Sequence, residues 1–205
     1  MTRPRSASIL VEGSSDAPVV KRLLRDHKIA VHQEYGFKGK GYVDAKLHAY
    51  NQAAKHGTWV VLRDLDRDAP CAGELVRTLL PKPSRGMCFR VAVPTVEAWL
   101  LADAKGIAKY FHVPSHAVPI NPDLLPNAKQ ALVVLAKASR LKAIRDDMVP
   151  APNTTAAVGP GFVGRIAEFV ETDWSWRRAV ERSDSLKRCV ARIASLQNIA
   201  ADLAR

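Results

Sequence analysis

Acidic residues are scarce in this chain: 20 Asp and Glu stand against 31 Lys and Arg, for a formal net charge of +11. A surplus of that size suggests a polyanionic partner, nucleic acid first, although a merely basic surface has the same composition. Cysteine is rarer still. Cys71, Cys88 and Cys189 are odd in number, far apart, and form no C-x-x-C pair. That excludes a disulfide framework and reads as reduced thiols of a cytoplasmic protein. No apolar run approaches the roughly 20 residues of a membrane helix, and Met1-Thr-Arg-Pro-Arg5 leads directly into a strand pattern, so neither an anchor nor a signal peptide is expected. The glycine-flanked stretch Gly36-Phe-Lys-Gly-Lys-Gly41 lacks the spacing and terminal Ser/Thr of a P-loop. There is no repeat and no low-complexity segment.

What is present is an alternation of short apolar runs and amphipathic helices. Ser8 to Val11 reads as a strand, Ala17 to about His27 as a helix with Val19, Val20, Leu23 and Leu24 on one face, and Val31 to Tyr35 as a weaker strand. A helix from about Val43 to His56 follows, then a strand from Trp59, a helix from Cys71 to Leu80, and a strand from Met87 to Val93. This order implies an α/β fold with a parallel sheet flanked by helices. The 205 residues suit one core with a smaller attached portion, divided as an α/β core over 1–103 and a helical extension packed on it over 104–205. In the second half, prolines 114, 119, 122 and 126 make turns before a helix from Ala128 to Ser139, and a further helix spans Val163 to Val170.

The acids concentrate where these strands end. Asp64, Asp66 and Asp68 follow Val60-Val-Leu62 at alternate positions, Glu12 follows Val11, and Glu97 comes just after the fourth strand. In an open parallel sheet, ligands gather beyond the carboxyl ends of the strands. Alternation along an extended chain would point Asp64 and Asp66 the same way, toward a hard divalent cation. Simpler roles exist for each acid. Asp16, Asp66 or Asp68 can cap a helix, Asp64 can pair with an arginine, and Glu97 can complement a helix dipole.

Val11-Glu12-Gly13 with Asp16, Asp64-x-Asp66, and Val96-Glu-Ala-Trp-Leu-Leu-Ala-Asp103 together resemble the Toprim superfamily. The closer similarity is to a bacterial Toprim-like group related to nucleases of the OLD type. It extends to the segment from Pro122 to Lys129, to Val158-Gly-Pro-Gly161, and to Trp176, Arg178-Ala179 and Ser183 to Cys189. The resemblance implies a Toprim, Rossmann-like sheet with a helical C-terminal extension. It also implies a nuclease of a defence or repair system that uses Mg²⁺ or Mn²⁺ to hydrolyse phosphodiester bonds of DNA or RNA. Glu12, Asp64 and Asp66 carry over as catalytic acids; Asp16, Asp68 and Glu97 join them as candidate metal ligands. The partner would be nucleic acid, with a separately encoded ATPase. The chain shows no fused ATPase, no tyrosine in a topoisomerase context, no primase zinc motif and no obvious catalytic lysine downstream of the acids. The competing expectation is a non-catalytic subunit that binds nucleic acid or an ATPase.

Basic residues supply the candidate nucleic-acid contacts. Lys38 and Lys40 lie between glycines, where they either approach phosphates or sit in a solvated loop. Arg178 and Arg182, sharing a helical face with the region of Ser185, and Arg188 beyond it are read as a phosphate-contacting stripe or as a solvated face.

Overall fold

The computed structural model describes residues 5–203, with side chains through residue 196. The first four residues, on which part of the expectation of no signal peptide or anchor rested, lie outside that range.

Four parallel strands form one sheet: β1 (Ser6–Val11), β2 (Ala30–Gly36), β3 (Trp59–Asp64) and β4 (Met87–Ala92), in the spatial order β2-β1-β3-β4. Helices α1 (Asp16–Asp26), α2 (Lys40–Ala53) and α3 (Ala72–Leu79) connect them, and α4 (Val96–Ala102) follows β4. The fold is α/β with an all-parallel sheet flanked by helices, as the alternating pattern predicted, and is Rossmann-like. Side-chain alternation builds two apolar layers. Ile9, Val11, Val60 and Leu62 join α1 and α4 on one face, while Leu10, Val61 and Phe89 meet Val43, Leu47 and Leu75 on the other. The chain runs from β1 outward to β2, then crosses back to β3 on the far side of β1. The order therefore reverses between β1 and β3, and the crevice at that reversal is where open α/β sheets bind ligands.

The remaining helices are α5 (Ala104–Phe111), α6 (Ala128–Lys137), α7 (Lys142–Met148), α8 (Phe162–Thr172), α9 (Trp176–Ala179) and α10 (Asp184–Leu203). Ile107, Phe111, Leu132, Phe169 and Trp174 are buried in the same apolar layer as Leu23 and Trp99. Two of these helices, α5 and α7, fall in stretches to which the sequence assigned no element, before Pro114 and between the helix from Ala128 and Pro150. The start of α2 also differs from expectation. Gly39 adopts a left-handed φ of 78° and turns the chain so that Lys40, not Val43, opens the helix. Among the described residues, no helix is long and apolar enough to cross a membrane.

Candidate metal centre

β1 and β3 are hydrogen-bonded neighbours, so the residues leaving their carboxyl ends are forced together. Glu12 follows β1 and Asp64 ends β3, and a Glu12 carboxylate oxygen accepts the Asp64 N–H at 2.8 Å. Asp64 in turn accepts the N–H of Val96, at the start of α4, at 2.9 Å. Asp16 opens α1 and is only 5% exposed. It does not cap that helix. Its carboxylate folds back to accept from the Gly13 N–H at 2.8 Å and from the Ser15 hydroxyl at 3.2 Å, closing the turn after β1. Glu97, 2% exposed in the first turn of α4, completes a group of four carboxylates from three strand ends.

Their electrostatics follow from burial among like charges. Burial pushes Glu12 up to about 7, against the lowering effect of the Asp64 N–H and of Arg63. Asp16 rises to about 6, first from burial and then from Glu97. Asp64 is raised well above the ordinary carboxylate value by burial and by the charges of Asp16, Glu97 and Glu12.

Asp66 departs from the expected geometry. β3 ends at Asp64, and Asp66 takes a left-handed φ of 50°. The alternation that would have aimed both aspartates the same way stops there. Asp66 pairs with Lys40 at 3.1 Å and Asp68 pairs with it at 2.9 Å, forming an outer lip. Arg63, a 3%-exposed cation within β3, bonds Asp44 at 3.0 Å and Asp68 at 2.7 Å, with Glu12 at 3.9 Å. Lys40 and Arg63 hold Asp68 below its usual value. Lys40 thus braces acids in this structure, whereas Lys38 lies over the Tyr42 ring at 5.3 Å.

Inside the lip lies a cleft of about 660 Å³, lined by Glu12, Asp64 and Glu97, by Asp66 and Asp68 of the lip, by Lys40 and Arg67, and by Thr95 and the stretch from Leu125 to Lys129, while Asp16 is not on its lining. Two cationic side chains here received no role from the sequence. Lys129, in the first turn of α6, brings its ammonium to 3.3 Å from Glu97. Burial alone would lower its pKa, but Glu97, Asp16 and Asp64 outweigh burial and raise it, so it stays charged. The visible signal was Pro126-Asn127 preceding it: Asn127 caps α6 by accepting the Gln130 N–H at 2.9 Å. Arg67 sits between Asp66 and Asp68, and its guanidinium has no partner among the described residues.

The expected arginine stripe is not a stripe. α9 ends at Ala179 and α10 begins at Asp184, so Arg178, Arg182 and Ser185 share no helix. Arg178 makes a two-pronged bond to the fully buried Asp103, both contacts at 2.6 Å. Arg182 donates to the carbonyls of Ala102, Pro119 and Ile120. Both guanidiniums hold the loop and helix after α4 in place. Arg188 is exposed and pairs with Asp184 at 2.6 Å.

The donor set suits a hard divalent cation: Glu12, Asp16, Asp64 and Glu97 offer only oxygen. The Thr95 hydroxyl is also buried in the cleft wall, with no hydrogen-bond partner among the described residues. The four carboxylates do not form a ready cage. Among the described residues, no three His, Cys, Asp or Glu side chains stand together as one ion's ligands. Glu12, Asp16 and Asp64 instead each accept a backbone N–H. A larger groove of about 840 Å³ lies beside the amino ends of β1 and β2, but its Lys21, Arg22 and Arg25 are paired with Glu34, Asp26 and Glu171.

Comparison with known proteins found no matching family model, no matching curated protein and no matching solved structure.

Proposed function

We propose that this cleft is the centre of a divalent-metal-dependent nuclease of Toprim-like type, hydrolysing phosphodiester bonds of DNA or RNA. The observation that carries the reading is four carboxylates converging on the sheet's topological reversal, three of them pushed above their ordinary protonation range. Buried acids arranged to repel one another are costly unless something positive is meant to join them. Glu12, Asp16, Asp64 and Glu97 are the residues that would hold Mg²⁺ or Mn²⁺. When bound, such an ion neutralises charge at a phosphate and lowers the pKa of a water.

The chain's own groups prepare the rest. Backbone N–H bonds from Gly13, Asp64 and Val96 fix the directions of Asp16, Glu12 and Asp64. Lys129 lies where its ammonium can leave Glu97 for a phosphate oxygen, and Arg67 offers a free fork at the rim. The net charge of +11 draws a polyanion toward a cleft whose floor is acidic. Asp66 and Asp68 enter this reading as lip residues that set Lys40. An ATPase supplied as a separate chain is part of the same proposal, resting on the family resemblance alone.

A second reading, a non-catalytic subunit that binds nucleic acid or such an ATPase, is favoured by one observation: the acids are not gathered as a three-ligand cage. Incubating the purified chain with labelled DNA and RNA, each with Mg²⁺, Mn²⁺ or chelator, separates the two. The nuclease reading expects metal-dependent cleavage that Asp64→Asn abolishes while the fold is kept. Binding without cleavage in every metal condition supports the subunit.

A further inference from the structure

The loop between β2 and α2 is built under constraint directly over the end of β1. The Phe37 N–H donates to the Val11 carbonyl at 3.1 Å, and the Gly39 N–H donates to the Glu12 carbonyl at 3.0 Å. Gly36, with φ 106°, is pressed so close that an added Cβ would lie 1.9 Å from the Val11 oxygen. Between these anchors Phe37 is held at φ 62°, a left-handed backbone that bulky side chains avoid. The cost is not recovered by burial, because Phe37 is 45% exposed. A strained aromatic residue is thus left in solvent on a loop anchored, two residues on, to Glu12, the kind of backbone outlier that clusters at functional sites.

A second exposed apolar side chain adjoins the cleft lining, without the backbone strain. Leu125 lines the cleft, and its neighbour Leu124 is 79% exposed; Ile120, on the same loop, is 81% exposed. Of the six large apolar side chains exposed among the described residues, two, Phe37 and Leu124, therefore lie on the segments that carry the cleft-lining Lys40 and Leu125, whereas Ile120 borders a separate hollow with Arg182 and Ser183. Cations accompany them: Lys38 next to Phe37, Lys40 at the lip and Arg67 at the rim. Apolar faces set among cations match one chemistry, a polyanionic backbone carrying flat bases free to leave the stack.

Resting on the nucleolytic reading above, we propose that the cleft takes an unpaired strand, with Phe37 as a base-stacking platform at its edge and Leu124, next to the cleft-lining Leu125, holding bases apart. A fully paired duplex buries its base faces and offers neither residue a partner. Phe37 is a specificity residue, not a catalytic one. Because its backbone is strained, glycine at this position relaxes the loop while removing the ring.

The test is fluorescence anisotropy with a labelled oligothymidine and with a blunt duplex of mixed sequence, each in chelator and at low salt, alongside thermal melts. The wild type binds the single strand more tightly than the duplex. Phe37→Gly keeps or raises the melting temperature yet weakens single-strand binding about tenfold or more, while duplex binding changes little. Phe37→Trp retains the preference, Leu124→Ser reduces it, and Val163→Ser, an exposed apolar residue on α8, leaves it unchanged. Equal affinity for both probes, or Phe37→Gly without effect on either, overturns the inference while metal-dependent cleavage keeps the nucleolytic reading intact. Phe37→Gly that lowers the melting temperature and both affinities together also overturns it, by making the ring structural. Failure of both probes to bind, with no cleavage in Mg²⁺ or Mn²⁺, overturns the inference and the nucleolytic reading together.

Discussion

Asp16→Asn in metal-free protein isolates what the acidic cluster costs the fold. Asp16 rises from the usual 3.8 to about 6, with burial first and Glu97 next among the causes that raise it. At about 1.4 kcal/mol for each tenfold change in proton affinity, ionising it in the folded state costs on the order of 3 kcal/mol. The sign follows from proton counting. Between the two values the folded state binds more protons than the unfolded chain, so stability falls as pH rises through roughly 4 to 6 and then levels. Asparagine keeps an oxygen for the Gly13 N–H and still meets the Ser15 hydroxyl, while removing the charge. At pH 8 with chelator the variant should therefore be more stable by about 1–3 kcal/mol, or roughly 2–12 °C in melting temperature for a chain of this size. Below pH 4 the two proteins should melt together. Thermal melts across that range measure both ends. A variant less stable than wild type at pH 8 by more than about 1 kcal/mol would show that Asp16 stabilises the turn as an anion and refute the repulsion argument.

Other substitutions separate structural from functional cations. Arg178→Ala leaves the buried Asp103 without its two-pronged partner and should cost about 2–4 kcal/mol in denaturant melts; a loss under 1 kcal/mol would return Arg178 to the surface. Arg67→Ala should barely change stability but lower the slope of log affinity against log salt for nucleic acid by about 1, and an unchanged slope would remove it from the interface. Lys129→Met removes the cation from Glu97 and should destabilise the metal-free protein more at pH 8 than at pH 5; equal losses would mean that the ammonium does not balance the cluster. Gly36→Ala should cost about 2–4 kcal/mol, because both its φ and the Val11 oxygen oppose a side chain, and a neutral result in melts would place that loop elsewhere.

Local periodicity carried much of the architecture. The runs around Ile9, Val61 and Phe89 are short, apolar and bounded by turns, and each is a strand in the sheet. Glu12 and Asp64 were legible as a pair because both follow such runs and parallel strands share an edge. What periodicity could not reveal is whatever depends on one residue's backbone angle or on a distant partner. The positive φ at Asp66 ends the alternation and sends its carboxylate to Lys40. Lys129 reaches Glu97 only because α6 packs on α4, with α5 and an irregular stretch between them in the chain. Arg178 looked like surface charge until α5 and α9 placed Asp103 beneath it. Arg63 could be read from sequence only as an oddity, a cation inside an apolar strand, since its partner Asp44 comes from the neighbouring helix.

Titration of the chelated protein with Mn²⁺ at pH 8, followed by thermal melting and calorimetry, bears most directly on the claim that the four carboxylates await a divalent cation. The account predicts saturable binding and a melting temperature that climbs with concentration, by about 2.7 kcal/mol of added stability at a hundredfold excess over Kd. Asp64→Asn and Glu12→Gln should each blunt both signals while starting from an equal or higher metal-free melting temperature. No calorimetric heat, no shift for the wild type, and melting curves for Asp64→Asn indistinguishable from it would contradict the claim.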